Sequence, residues 1–313
     1  MVGEKGETMK WIVNGEIVPE GDAGLSFGDR GALLGDGLFE TFRVEQGVPL
    51  FMREHLKRLR EGMQILRFAV MPDEKELIAG IRQALVVNGV ESGYLRLTVT
   101  RGTGSFAQPL AALTEPVWWV EARSMPLQMG VLEHGVEAIV ASTCLNPHSR
   151  LRRVKSLNFL ENVLAKQEAR DRGADEAIFL TTDEAVSEGA SANLFLVKKG
   201  VCYTPSLACG PLPGVVRGWV LATAARLGLT VVERSLQPGE LTAADELFFT
   251  NSTWGPFPCV AVDGVTIDSG KPGPYTCKWM EQWQEEVAAQ IEADRKNHSA
   301  SFDANVNTFS QKE

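Results

Sequence analysis

Residues 150–169, Arg-Leu-Arg-Arg-Val-Lys-Ser-Leu-Asn-Phe-Leu-Glu-Asn-Val-Leu-Ala-Lys-Gln-Glu-Ala, limit the possible folds more than any other stretch. Leu157, Leu160, Val163 and Leu164 recur at helical spacing, which predicts a helix with one apolar face. Asn158 followed three residues later by Glu161 has the form of a capping box and marks the helix start. Lys155 then sits at the mouth of that helix, with Arg150, Arg152 and Arg153 just upstream. A helix N-terminus carries partial positive charge, and the guanidinium groups add to it. A lysine partly buried there gives up its proton more easily, as a nucleophile or base requires. The plain alternative is a solvated basic helix start, and local chemistry does not choose between the two.

Composition narrows the partners. The 313 residues suffice for one large domain or two ordinary ones, and 44% hydrophobic with 23% charged residues is ordinary for a globular protein. A net charge of −9 argues against nucleic acid as the main partner. No apolar run reaches the roughly 18 residues a membrane span needs, and Met1 to Lys10 lack a signal-peptide core. The five cysteines are scattered without CxxC spacing, and the four histidines form no ligand cluster with them. The expectation is a cytoplasmic protein with reduced thiols and no metal.

In chain order, Trp11 to Val18 reads as a hairpin turning at Asn14-Gly15. A glycine-rich segment from Leu25 leads into a strand, Phe39 to Val44, so it is a weak phosphate loop. Arg53 to Leu66 and Asp73 to Asn88 are amphipathic helices, and Tyr94 to Thr100 and Val117 to Glu121 are strands. By itself Arg58, on the first helix, reads as a solvated arginine. The pattern breaks at Ser124 to Gly130, taken as a domain boundary. Beyond it, Glu176 to Leu180 and Asn193 to Val197 look like neighbouring strands. Pro211-Leu-Pro-Gly214 opens a helix from Val215 to Leu227, whose first N–H groups would suit an anion or merely start a helix. Glu246 to Thr250 is a buried strand, and Trp279 to Ile291 a final helix. From Asn297 the chain is polar and aperiodic, so a disordered tail is expected. The loops Arg101 to Leu113 and Thr253 to Pro258 carry no readable pattern.

A nucleophilic lysine beside anion-binding helix starts suggests a phosphorylated aldehyde held as a Schiff base, which is pyridoxal 5′-phosphate chemistry. Such a cofactor needs an acid opposite its ring nitrogen. Glu188 is the candidate, followed by the small residues Gly189, Ala190, Ser191 and Ala192 that let a flat ring lie close; judged alone, it reads as a turn acid.

Taken together, these features resemble the fold-type IV pyridoxal-phosphate enzymes, the group of branched-chain aminotransferases, D-amino-acid aminotransferases and aminodeoxychorismate lyases. The resemblance runs from about Trp11 to Lys271. It rests on Asp29-Arg-Gly through Gly35-Asp-Gly-Leu-Phe-Glu40, Glu54-His-Leu-Lys-Arg-Leu59, Lys155-Ser-Leu-Asn-Phe-Leu-Glu161, Ser187-Glu-Gly-Ala-Ser-Ala-Asn-Leu-Phe195 and Leu212-Pro-Gly-Val-Val-Arg217. It implies an α/β (α+β) two-domain, D-amino-acid aminotransferase-like fold. The domains would be residues 1–125 (smaller, N-terminal) and 126–295 (larger, cofactor-binding), with 296–313 as the tail.

The resemblance also implies roles. Lys155 would bond the cofactor and shuttle the proton, and Glu188 would hold the pyridine nitrogen. Arg58, the N–H groups of Val215 and Val216, and Asn251 with Ser252 would hold the phosphate. Phe39, Arg96 and Thr253 would line the substrate side, with a small-molecule amine as substrate and a homodimer as the assembly. Three departures stand out: Val216 where aminotransferases often carry threonine, Phe159 where many members carry tyrosine, and Asn-Ser-Thr-Trp-Gly-Pro after Thr250. The last is more like the aminodeoxychorismate lyases. The leading expectation is therefore a 4-amino-4-deoxychorismate lyase making p-aminobenzoate and pyruvate. The alternatives are an aminotransferase of D-amino or branched-chain acids and, from another class, a non-catalytic cofactor carrier or interaction protein.

Overall fold

The computed structural model describes residues 9–126 and 129–309. Six strands come first in the chain: β1 (Lys10–Val13), β2 (Glu16–Pro19), β3 (Gly37–Glu45), β4 (Val48–Pro49), β5 (Ser92–Thr100) and β6 (Val117–Ser124). They form an antiparallel sheet in the order β2-β1-β6-β5-β3-β4. Asn14 and Gly15 take φ of 47° and 88° between β1 and β2. Two successive positive φ values are what a two-residue hairpin needs, and Asn-Gly supplies them.

One face of this sheet is a core. Leu38, Phe42 and Val44 of β3 and Leu95, Leu97 and Val99 of β5 are buried there. After the short α1 (Arg30–Leu34), two longer helices, α2 (Met52–Ile65) and α3 (Glu74–Val87), cover that face. They bring Leu56, Leu59 and Met63, and Leu77, Ile81, Ala84 and Leu85. Each large apolar side chain contributes about 1.5–3 kcal/mol by leaving water.

Nine strands follow: β7 (Val136–Leu145), β8 (Glu176–Thr181), β9 (Val186–Gly189), β10 (Asn193–Lys198), β11 (Val201–Pro205), β12 (Thr230–Arg234), β13 (Glu246–Asn251), β14 (Gly255–Val262) and β15 (Val265–Thr266). They make a mixed sheet in the order β12-β11-β10-β13-β14-β7-β8-β9, with β15 on β14. β8 and β10 form where alternation predicts strands, but they are not neighbours. Residues between them contain β9, which takes the edge of β8. Alternation reveals a strand's faces, not its partner.

The helices of this half are α4 (Met129–His134), α5 (Leu160–Asp171), α6 (Val215–Thr223), α7 (Pro238–Thr242) and α8 (Pro274–Phe309). α6 runs on through a tight turn at Ala224–Leu227 to Gly228, where φ is 66°. α8 is longer at both ends than the sequence pattern suggests and continues past Asn297; residues 310–313 lie outside the described residues.

α5 departs most from expectation. It buries Asn162, Ala165 and Ala169, with the alanines against Ile139, Ala141, Ala177 and Phe179 of the sheet. Leu160, Val163 and Leu164 point outward and are 68%, 55% and 57% exposed. Small residues let the helix lie close to the sheet, so the larger ones are left on the far face. Nor does Asn158 cap the helix. Its Nδ2 donates to the Gly35 carbonyl at 2.9 Å, and the N-cap residue is Phe159, with no side-chain cap.

A further core joins the two sheets. Val48, Leu50 and Phe51 pack with Phe195 and Phe248, Trp219 of α6 and Trp279 and Trp283 of α8. Phe51 stacks on Trp283 at 5.2 Å between ring centroids. Among the described residues no helix is long and apolar enough to cross a membrane.

Candidate active site

Lys155 hangs on the start of β3. Its carbonyl accepts from Phe39 N at 3.0 Å, and Leu157 N donates to the Gly37 carbonyl at 3.0 Å. An isolated antiparallel bridge between Ser156 and Leu38 thus brings Lys155 to the cavity between the sheets. Gly37 is required for this approach: a Cβ there would lie 2.5 Å from Val99 O and 2.7 Å from Leu157 Cδ1.

The helix-mouth account of Lys155 needs correcting. α5 begins only at Leu160, Arg150 and Arg153 are exposed, and Arg152 is engaged elsewhere. Burial is the main reason the ammonium is destabilised, and the nearby charge of Arg58 on α2 comes next. Glu40 and Glu188 oppose them, and the balance leaves the lysine at about 8. Its Nζ lies 4.5 Å from the Phe39 ring centre and 5.5 Å from that of Phe159. Among the described residues it makes no hydrogen bond or ion pair, so the amine is free for a ligand.

Glu188, on β9, is buried in the wall of the same cavity. Its Oε1 accepts from Arg152, and its Oε2 accepts from Leu212 N at 2.9 Å and Asn193 Nδ2 at 3.1 Å. Burial pushes its pKa above the usual carboxylate value, while Arg152 pulls the other way. The carboxylate is held rigidly with two elements behind it.

A third cluster collects donors. α6 begins after Gly214, and its first intrahelical bond runs from Gly218 N to Gly214 O at 2.9 Å. Among the described residues the N–H groups of Val215 and Val216 have no acceptor, as helix starts without a cap leave them. The Val216 side chain is packed into the core joining the sheets, so only its backbone can serve a ligand. Arg58 reaches the Pro213 carbonyl beside this helix start with Nη1 at 3.3 Å. Its other nitrogens grip Glu40, at 2.9 Å and 2.5 Å. Arg58 is therefore a largely enclosed, oriented cation rather than the solvated arginine that its sequence context suggests.

Ser252 Oγ completes the cluster, 3.2 Å from His55 Nε2. Asn251 turns its Oδ1 inward to accept from Thr253 N and Trp254 N at 3.1 and 2.9 Å, which shapes the loop. Ser252, Thr253 and Trp254 all line the cavity. Phe39 and Arg96 stand beside Lys155 and do not form its wall. The Arg96 guanidinium stacks 4.0 Å from the Phe39 ring centre. Arg96 is half-buried, without an ion pair among the described residues, and burial lowers its pKa while Glu121 opposes this.

The cavity holds about 760 Å³ and is lined by Arg58, Lys155, Phe159, Glu188, Val215, Val216, Thr250 and Asn251 to Trp254, among others. Its donor set fits pyridoxal phosphate: a free amine for an aldehyde, a buried carboxylate for a ring nitrogen, and N–H donors with an arginine for a phosphate. The buried Thr250 hydroxyl in this wall has no hydrogen-bond partner among the described residues.

The family model for Amino-transferase class IV matches residues 37–262, the span that contains this whole cavity. The chain belongs to the class IV aminotransferases. It is 37% identical over 278 residues to a protein of Methanocaldococcus jannaschii provisionally named a branched-chain-amino-acid aminotransferase, covering 88% of this chain and 96% of that one. A D-alanine aminotransferase of Bacillus licheniformis is 35% identical over 272 residues (86% and 93% covered). The aminodeoxychorismate lyase of Bacillus subtilis is 33% identical over 286 residues (89% and 95%). The fold matches the Escherichia coli branched-chain amino acid aminotransferase with a TM-score of 0.83 at 30% identity, covering 89% and 94%. It also matches the T.th. branched-chain amino acid aminotransferase, solved with pyridoxamine 5′-phosphate, with a TM-score of 0.81 at 27% identity (91% and 95%). As a class IV aminotransferase family member the chain is an enzyme whose cofactor is pyridoxal 5′-phosphate, with the expected fold-type IV architecture.

Residues that sequence reasoning missed have readable signals in hindsight. Glu40 lies on the core face of β3 between Leu38 and Phe42, and a charge on a core face asks for a partner. His55 lies four residues before Leu59 on the buried face of α2. Arg152 and Asn193, which hold Glu188, carried no such signal, because only tertiary contact brings them to it.

Proposed function

We propose that this enzyme is an aminotransferase of branched-chain or D-amino acids. The observation that carries this reading is the free amine of Lys155 in the same cavity as the anchored Glu188. Two relatives with the highest identities above are an aminotransferase and a protein provisionally named one, and they favour transamination over lyase chemistry. When bound, the cofactor supplies an electron sink for charge developing at the substrate α-carbon. Lys155 Nζ, once neutral, takes the α-proton, and a pKa of about 8 suits that task near neutral pH. Glu188 holds the ring nitrogen, while Arg58, the N–H groups of Val215 and Val216, and Ser252 hold the phosphate. Asn251 supports that segment. Thr253 borders the substrate, and Arg96, stacked on Phe39 behind the wall beside Lys155, turns toward the cavity to pair with the substrate carboxylate, a group to which a planar guanidinium is matched.

Purified enzyme supplied with 2-oxoglutarate and a panel of D- and L-amino acids should form glutamate from at least one branched-chain or D-amino acid. Lys155→Ala should abolish this turnover. Activity near wild type in that variant, or no turnover across the panel, would defeat the reading. The Asn-Ser-Thr-Trp-Gly-Pro segment from Asn251 favours a second reading, 4-amino-4-deoxychorismate lyase. That reading requires p-aminobenzoate from aminodeoxychorismate with no keto acid added.

The working form is a homodimer. Leu160, Val163 and Leu164 lie within five residues of one another on α5 and are all exposed, an apolar patch of the kind that marks an interface. We assign the two sheets to two domains that meet near residue 125, and the cytoplasm as location.

A further inference from the structure

A line of hydrogen bonds crosses from the first sheet to the second. Arg58 of α2 holds Glu40 of β3 through Nε and Nη2, at 2.9 and 2.5 Å. His55 Nδ1 lies 2.6 Å from Glu40 Oε2, and His55 Nε2 lies 3.2 Å from Ser252 Oγ. His55 and Glu40 are both 1% exposed, and the Phe42 ring packs 4.5 Å from the imidazole centre.

The geometry orders the protons along this line. Burial alone would raise the Glu40 pKa, but the guanidinium of Arg58 and the contact with His55 outweigh it and hold the carboxyl at about 2. A carboxylate only accepts, so Nδ1 carries the hydrogen that points at Glu40. Burial lowers the His55 pKa, and Arg58 and Lys155 push the same way against Glu40. Neutral His55 therefore has a bare Nε2, and the Ser252 hydroxyl donates to it. In this state Ser252 offers only lone pairs to the cavity, where an anion would meet them unfavourably. Turning the hydroxyl to an anion would leave a buried Nε2 unpaired, which is unfavourable.

We propose that His55 is a proton-holding positioning residue of the phosphate cup, so that a phosphate in the cup and a proton on His55 Nε2 bind together. The proton comes from solvent. Nε2–H then donates to Ser252 Oγ, and the Ser252 hydroxyl donates to the phosphate. The groups facing His55 set the balance: Glu40 on β3 and the bound dianion favour the imidazolium, Arg58 on α2 and Lys155 oppose it, and Ser252 and Phe42 are neutral. The inference rests on the reading of this cluster as the phosphate site.

The test is calorimetry of the full chain, stripped of cofactor, with methyl phosphate at pH 8 in buffers of different ionisation enthalpy. The second pKa of a phosphate monoester is near 6, so the probe arrives as a dianion and brings no proton. Wild-type protein should take up about one proton per phosphate bound. Lys155→Ala should keep that uptake, which removes the lysine as its source. His55→Gln should lose it. Ser252→Ala, a change at the cavity wall that leaves the core untouched, should lose it too and bind about tenfold more weakly. In ¹⁵N-histidine spectra, His55 Nε2 should be unprotonated in the free protein and protonated with methyl phosphate. No binding, no uptake, uptake that survives in Ser252→Ala, or an Nε2 already protonated without ligand would each overturn the proposal. Pyridoxal 5′-phosphate, added separately, reports on the cofactor site. Uptake without a Lys155-dependent absorbance band would defeat the cofactor reading and spare the inference, and the reverse result would do the opposite.

Discussion

Lys155 shows how one side chain is made reactive by what surrounds it. Two phenyl rings and burial remove water from the ammonium, and Arg58 adds like-charge repulsion. The consequence for stability has a definite sign. A lysine whose folded pKa is about 8, against 10.5 when free, binds fewer protons in the folded state between those values. Stability of the cofactor-free protein should therefore rise with pH across that window. Lys155→Met should remove the penalty, stabilising the cofactor-free protein by roughly 3 kcal/mol at pH 7, at about 1.4 kcal/mol per pKa unit. The difference between variant and wild type should shrink from pH 8 towards 10.5 in urea titrations. A constant difference across that range would mean that Lys155 is charged in the folded protein throughout.

At the scale of elements, α5 and β14 each depend on a close approach. α5 lies on its sheet through Ala165 and Ala169 and turns Leu160, Val163 and Leu164 outward. Leu160→Asp combined with Val163→Asp should leave the chain folded, because both positions are exposed, and should convert the proposed homodimer to monomer. Analytical ultracentrifugation reads the mass, and an unchanged dimer would place the interface elsewhere. Gly255 opens β14 with φ 75°, and a Cβ there would lie 2.4 Å from Trp283 Nε1. Gly255→Ala combines backbone strain with a clash against a buried indole. It should lower stability by about 1–3 kcal/mol, seen as a lower denaturation midpoint.

At the scale of the whole molecule, the cavity belongs to neither sheet alone. Glu40 comes from the first sheet and Arg58 from the helix α2 that covers it, Glu188 from the second sheet and Ser252 from its β13–β14 turn, and Lys155 from the segment that bonds to β3 while leading into α5. The core of Phe51, Trp219, Trp279 and Trp283 fixes one sheet against the other and so fixes these distances. Changes at those aromatic residues should reach the site through the spacing of the sheets.

Much of this was legible in the chain itself. Hairpin, strands and helices of the first sheet follow from the Asn14-Gly15 turn and from apolar periods of two and 3.6, which are local properties of the backbone. Lys155, Glu188, Arg58 and the Val215 helix start were readable because each sits in an ordered motif. The capping role of Asn158 and the inward face of α5 were misread, since a periodic pattern shows that a face is apolar but not what covers it. The pairing of β10 with β13, the hold of Arg152 on Glu188, and the reach of His55 to Ser252 depend on residues distant in the chain. Only folding brings them within bonding range, so tertiary structure alone decided them.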